Sequence, residues 1–205
     1  MLMDMPVLSD ETLVARARQG NRDAFGVLVR RHQTQAVLIA QGVLRNLELA
    51  KDASQNAFAK AYFGLPRFRE DAKFKTWLFR IVVNEAKDVY RKEKARGLFK
   101  FWEAQETEDE ETNSILDVIP SGVPSPREVY EVNEMKERLE QAIYALPERE
   151  REVFILRYLN DLQLSEIAET LGMALGTVKA HLAHGAGKLK SHLSVGVQPQ
   201  NAVRR

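Results

Sequence analysis

Between Arg67 and Lys100 the chain carries 11 Lys/Arg against 5 Asp/Glu, with Phe, Trp and Tyr interleaved. Cationic side chains neutralise phosphates, and aromatic rings give unstacked bases a surface to lie on, so this mixture suits single-stranded nucleic acid. Asn84 adds an amide that can pair with a base edge. The same residues have a plainer reading, in which aromatics at helical spacing form core and the basic face is solvated. Other chemistry is sparse. With no cysteine there is no disulfide, thiolate nucleophile or Cys-based zinc site. No nucleophile–base pair or phosphate-binding loop is present, which argues against an enzyme and implies no cofactor. His181 and His184 stand three apart and could share an ion, but only His192 offers itself as a further ligand. They are read as a solvated or DNA-facing pair.

The elements that must position these residues are helical. Phe74, Trp77, Leu78, Ile81, Val82, Val89 and Tyr90 recur at three- and four-residue steps, which predicts one amphipathic helix within 68–96. Upstream, Ser9-Asp10-Glu11 caps a short helix ending at Gly20, and a second follows Asn21 with Phe25, Leu28, Val29, Ala36, Ile39, Ala40 and Val43 on one face. A third runs from Leu47 to Phe63 between Asn46 and Gly64-Leu65-Pro66, with Phe58 and Tyr62 read as core. Glu103 to Pro120 holds seven acids and no base, the composition of a solvated, flexible linker. Ser125-Pro126-Arg127-Glu128 predicts a helix start with a capping box, and Pro147 begins the next helix, which closes at Asn160-Asp161. Residues 163–193 predict a helix-turn-helix: Ser165 as cap, small Ala168 at the contact, Gly172 in the turn, Val178 and Leu182 as anchors. Such a pair lays the N-terminal part of its second helix in a major groove.

The order of residues narrows this further. Phe68, Arg69, Asp71, Phe74, Thr76, Trp77, Leu78, Phe79, Arg80, Ile81, Asn84 and Asp88 form a pattern that resembles conserved region 2 of the extracytoplasmic-function (ECF) sigma factors, promoter-recognition subunits of bacterial RNA polymerase. The resemblance implies that Phe68 to Phe74, including Arg69 and Asp71, form a loop holding a flipped base of the −10 element. It implies that Asn84, Lys87, Asp88 and Arg91 lie on the DNA face of the following helix, with Lys75, Lys92 and Lys94 beside them. The segment AKDASQNAFAKAY is similar to the family helix that docks on the clamp coiled coil of the polymerase large subunit, making Asp52, Gln55 and Asn56 the core-polymerase contacts. Lys51 and Asn56 stand where the family has acids. Each lost exposed charge pair is worth at most about 1 kcal/mol, so docking is expected to weaken rather than vanish.

The segment LPEREREVFILRY and the helix-turn-helix after it resemble sigma region 4, the reader of the −35 element. The resemblance implies a DNA face of Ser165, Thr177, Lys179, Ala180, His181, His184 and Lys188. Here the chain departs from the family. Arginines usual at 181, 184 and 186 are His, His and Ala, and Gly185 and Gly187 interrupt the helix. Neutral histidine lacks the charged fork that grips guanine or phosphate, so −35 binding is expected to be weak or redirected.

Whole-chain composition accommodates this reading. The 205 residues carry a net charge of only +1, but 67–100 sum to +6, 101–178 to −12 and 179–205 to +5. No signal peptide or membrane-length apolar run is seen, so a cytoplasmic protein without membrane insertion is expected. The expected architecture is all-α, two helical domains joined by an acidic flexible linker: an N-terminal extension at 1–19, region 2 at 20–97, linker at 98–124, region 4 at 125–193 and a disordered tail at 194–205. The expected partners are core RNA polymerase, promoter DNA and an anti-sigma factor. Two other readings keep parts of this pattern. One is a sigma-like protein–protein switch that binds an anti-sigma factor without reading DNA; the other is a helix-turn-helix response regulator, which would leave 46–96 without a role.

Overall fold

The computed structural model describes residues 8–69, 72–96, 115 and 126–195, and for 126–133 and 195 the backbone alone. Every regular element among the described residues is helical. Helix α1 (Asp10–Arg18) starts where Ser9 Oγ accepts the Thr12 N–H, and Gly20 turns the chain with φ +90°. Helix α2 (Arg22–Leu44) is capped by Asn21 Oδ1 on the Ala24 N–H, and α3 (Leu47–Gly64) by Asn46 Oδ1 on the Leu49 N–H. These caps each satisfy one of the orphan donors of a helix start. A single 3₁₀ turn, Leu65–Arg67, leads to α4 (Phe74–Ala95). The basic helix therefore begins at Phe74, and Phe68 belongs to the approach. The apolar faces of α1 to α4 close over one core that includes Leu28, Leu44, Phe58, Leu78 and Phe79.

In the second half, α5 (Pro126–Tyr144) and α6 (Glu148–Phe154) are followed by a π turn, Ile155–Leu159. The buried Asn160 amide stabilises that turn by donating to the Ile155 carbonyl at 3.1 Å. Helix α7 (Leu164–Leu171) and the long α8 (Leu175–Val195) form the helix-turn-helix. Gly172 makes the turn with φ +64°, a left-handed conformation that favours glycine. The cap differs from expectation. Gln163 occupies the N-cap and its N–H donates to the Glu166 carboxylate at 2.8 Å, so Ser165 sits exposed inside the first turn.

The two halves do not keep separate cores. Leu156, Leu162, Ile167 and Val178 pack in the same cluster as the α1–α4 side chains, and Leu38 of α2 joins a second cluster with Ile143, Leu146, Ile155 and Leu189. The halves come into close contact at Gly42 in α2. A Cβ there would overlap Ile155 Cδ1 and lie 3.3 Å from its Cγ1. Polar groups lock the same seam. Arg151 donates from Nε to the Gly42 carbonyl at 2.8 Å and from Nη1 to the Leu146 carbonyl at 3.0 Å. Burial and the neighbouring Arg45 push its guanidinium below its ordinary value. Arg45 in turn donates to the Tyr144 carbonyl at 2.5 Å with its guanidinium 4.8 Å from the Tyr144 ring centre.

The expected linker lies almost wholly outside the described residues, as do the tail, Ser125 and the aromatic group at 98–102. Ile115 is the described residue of that stretch, and it is not solvated. It is 1% exposed within the second cluster, and its N–H donates to the buried Glu140 carboxylate at 3.1 Å.

Gly42→Val tests the seam. Overpacking of this kind costs about 1–3 kcal/mol, charged here to docking, because valine is tolerated within a helix such as α2. Small-angle scattering should show a radius of gyration above the ~17 Å of a compact chain this long, with helicity by circular dichroism unchanged. An unaltered radius would mean that Gly42 does not set the docking.

Candidate nucleic-acid interface

Helix α4 turns one face outward from its buried apolar stripe, where Asn84 is exposed, followed by Asp88, Arg91, Lys92 and Lys94. Asp88 and Arg91 pair at 3.1 Å one turn apart, and the Lys94 ammonium lies 5.8 Å from the Tyr90 ring centre. This face has the composition expected for tracking phosphates around one base-reading amide.

Two of the expected DNA residues are held by the second half of the chain, Lys75 on the side away from Asn84 and Lys87 on the flank that leads to Lys94. Lys75, half-buried, donates to the Asn160 carbonyl at 2.9 Å, and burial lowers its ammonium below the ordinary value. Lys87 pairs with Glu152 at 2.8 Å, with their side chains 17% and 2% exposed. Glu152 also accepts from Arg149 at 3.0 Å. Lys73 adds an exposed pair to Glu166 at 2.8 Å. Burial works to raise the Glu166 carboxyl, but hydrogen bonds from Lys73 and the Gln163 N–H hold it below the ordinary carboxylate value. None of these cross-links was legible in the sequence, because the acids lie about 65–95 residues away in helices of their own.

The loop before α4 is partly inside. Phe68 and Phe74 are buried, and their rings pack at 6.2 Å from each other and at 4.8 and 5.9 Å from Trp77. Arg18 fastens this corner by donating to the Leu65 carbonyl at 3.1 Å and to the Phe68 carbonyl. Arg69 is exposed beside it, and Asp71 lies outside the described residues. The two aromatics thus form the floor of the loop rather than its tip.

On α3, Asp52, Gln55 and Asn56 are exposed together on the outer face, while Phe58 is buried and Tyr62 is half-buried against Phe25. On α8, Thr177, Ala180, His184 and Lys188 are exposed and His181 is half-buried, all on one side by the helical period. Lys179 is exposed on the opposite flank, and Lys188 is paired with Glu150 at 2.7 Å. Among the described residues no group of three or more His, Cys, Asp or Glu could hold a metal ion.

Comparison with known proteins finds two family regions. Residues 28–96 match the Sigma-70 region 2 model and residues 136–189 the Sigma-70 region 4 model. The ECF RNA polymerase sigma factor SigW of Bacillus subtilis (strain 168) is 30% identical over 180 residues, 88% of this chain and 94% of that protein. The chain belongs to the ECF family of RNA polymerase sigma factors. The ECF RNA polymerase sigma-E factor of Escherichia coli (strain K12) is 33% identical over 175 residues, 85% of this chain and 89% of that one. Among solved structures, CnrH in complex with the cytosolic domain of CnrY matches with a TM-score of 0.66 at 24% identity over 91% of this chain and 98% of that one. RpoE with the anti-sigma factor NepR from Bartonella quintana matches with 0.60 at 20% over 84% and 98%. These two likenesses show the fold.

As a member of this family the chain is an alternative sigma factor acting in transcription initiation. Two substitutions probe its faces. Asn84→Ala alters an exposed side chain, so stability should change by under ~0.5 kcal/mol, while a lost base-edge contact should cost about 1–3 kcal/mol of promoter discrimination. Thermal melting and competition binding against scrambled duplex separate the two effects. Replacing His181 and His184 together with arginine should tighten promoter binding, because each guanidinium supplies the fixed charged fork that imidazole lacks. Equal binding of the arginine protein to promoter and scrambled duplex would mean that α8 reads no sequence.

Proposed function

We propose that the outer face of α4, with Asn84 at its centre, reads and opens the −10 element, and that Thr177, Ala180, His181 and His184 of α8 face the −35 element. The exposed triad Asp52, Gln55 and Asn56 docks on the clamp coiled coil of core polymerase, and catalysis belongs to the polymerase, not to this chain. The domain limits are those of the sequence reading, 20–97 and 125–193, with the linker between. The observation that carries this function is the exposure of Asn84 and its basic neighbours on a helix whose opposite side carries the buried apolar stripe. No described helix is long and apolar enough to cross a membrane, and a cytoplasmic site of action accords with the partners.

The docked arrangement is not the promoter-bound one. Elements named −10 and −35 lie about 25 base pairs apart, roughly 85 Å along the duplex, whereas a compact chain of this length is about 45 Å across. The halves therefore part when both elements are read, and that releases Lys75 and Lys87 from Asn160 and Glu152. RpoE was solved with an anti-sigma factor, and a partner of that kind would act on this chain by holding the docked form. The switch reading draws on the same docking and on the arginine-poor α8, but it leaves the exposed face of α4 unused.

Run-off transcription with core polymerase and DNA carrying the promoter of this protein's own gene tests the function. A promoter-dependent transcript is expected, reduced about fivefold or more by Asn84→Ala, in line with about 1–3 kcal/mol of lost base contact. Core binding with no transcript from any promoter template would leave the switch.

A further inference from the structure

Phe63 is 80% exposed, the most exposed large apolar side chain named among the described residues. Its position is not random. At a helical period of 3.6, Asp52, Asn56, Ala59 and Phe63 follow each other up one line of α3, with Gln55 beside them, and all five are exposed. Asp52 and Phe63 mark the two ends of a stripe about 16 Å long. The ring is also braced. It meets Tyr62 edge-on at 5.8 Å, and Tyr62 meets the buried Phe25 at 5.0 Å, so Phe63 projects from a fixed base. A pre-positioned aromatic surrenders little conformational freedom on binding, and aromatics are over-represented among the residues that dominate interfaces.

The polar end of the stripe is weak by comparison. Glu48, at its start, is paired with Lys51 at 2.7 Å, and position 56 holds a neutral amide, so Asp52 is left as the principal charge. The geometry points to Phe63 as the apolar anchor of the core-polymerase docking surface, inserted into a hydrophobic recess of the polymerase large subunit at the end of the contact that Asp52, Gln55 and Asn56 begin. This rests on the docking role proposed for α3. It adds a residue and shifts the weight of the contact from charge pairs to aromatic burial. The predicted signature follows from that shift: affinity for core polymerase should depend little on salt and strongly on this ring.

The test is a fluorescence-anisotropy titration of labelled full-length protein with purified bacterial core polymerase. Phe63→Ala should raise Kd at least tenfold and Phe63→Leu less than Phe63→Ala, with thermal melting of both unchanged because the ring is solvent-facing. Asp52→Ala serves as the independent report on the stripe. Should Asp52→Ala weaken binding while Phe63→Ala stays within twofold, the docking role stands and the anchor is overturned. Wild-type protein that binds no core polymerase overturns both. Two outcomes would assign the ring elsewhere and equally overturn the anchor. One is a wild-type dimer by light scattering that Phe63→Ala renders monomeric; the other is loss of single-stranded −10 oligonucleotide binding in Phe63→Ala with core affinity retained.

Discussion

The seam at Gly42 is the constraint on which the rest of the docked molecule depends. Because α2 offers no side chain there, Ile155 reaches the helix backbone, and Arg151 follows it to the Gly42 carbonyl. That approach sets the position of the π turn, and the π turn presents the Asn160 carbonyl to Lys75. It also brings Glu152 to Lys87. A carboxylate as buried as Glu152 is costly unless paired, and removing one partner of such a pair costs more than the pair contributes. The Lys87–Glu152 contact therefore acts less as adhesive than as a register mark: other ways of bringing the halves together would leave Glu152 only Arg149 of its own helix as a cation.

The electrostatics of the seam and of promoter binding are alike in kind. Lys87 and Lys75 are covered in the docked chain by Glu152 and a backbone carbonyl, and the exposed Lys73 pairs with Glu166, groups that offer the same oxygen chemistry as phosphate. Exchange of one set of oxygens for the other gains less than binding from a free, solvated lysine would. The outward face of α4 is exempt, since Asn84, Arg91, Lys92 and Lys94 have no partner in the second half among the contacts described. Access to that face does not wait on opening, whereas access to Lys75 and Lys87 does.

Much of this was legible from residue order. The helix caps at Ser9, Asn21 and Asn46, the turn at Gly172 and the anchors Val178 and Leu182 are local signals, and the structure places them as the spacing predicts. Phe58 is likewise core. What could not be read was long-range. The sequence marks Lys75 and Lys87 as basic but does not say that an acid from the far half reaches them. Phe68 and Phe74 read as available aromatics, yet the Arg18 tie and the Trp77 packing draw them inside. Ile115 stands in an acidic stretch whose composition argues for full solvation, yet it is buried in the second cluster with its N–H donated to the Glu140 carboxylate. The cap at Gln163 displaced Ser165 because Glu166 reaches back to the Gln163 N–H, leaving the serine without that role.

The recognition helix shows where reading weight has moved. Gly185 is buried, yet a Cβ there would meet Glu150 at an ordinary 3.5 Å, and at Gly187 it would meet nothing within 4 Å. Neither glycine is demanded by packing, so each lowers helix propensity by about 1 kcal/mol against alanine without a steric return in the folded chain. The half of α8 that follows His184 is held instead from outside, by Leu189 in the second cluster and by Lys188 on Glu150. A helix so stabilised, with imidazoles where fixed cations would grip the backbone, contributes little electrostatic affinity of its own. On α4 the exposed cations Arg91, Lys92 and Lys94 lie on the same helix as the exposed amide of Asn84. On the reading proposed for the two faces, promoter choice by this chain would rest more on the −10 element than on the −35 element.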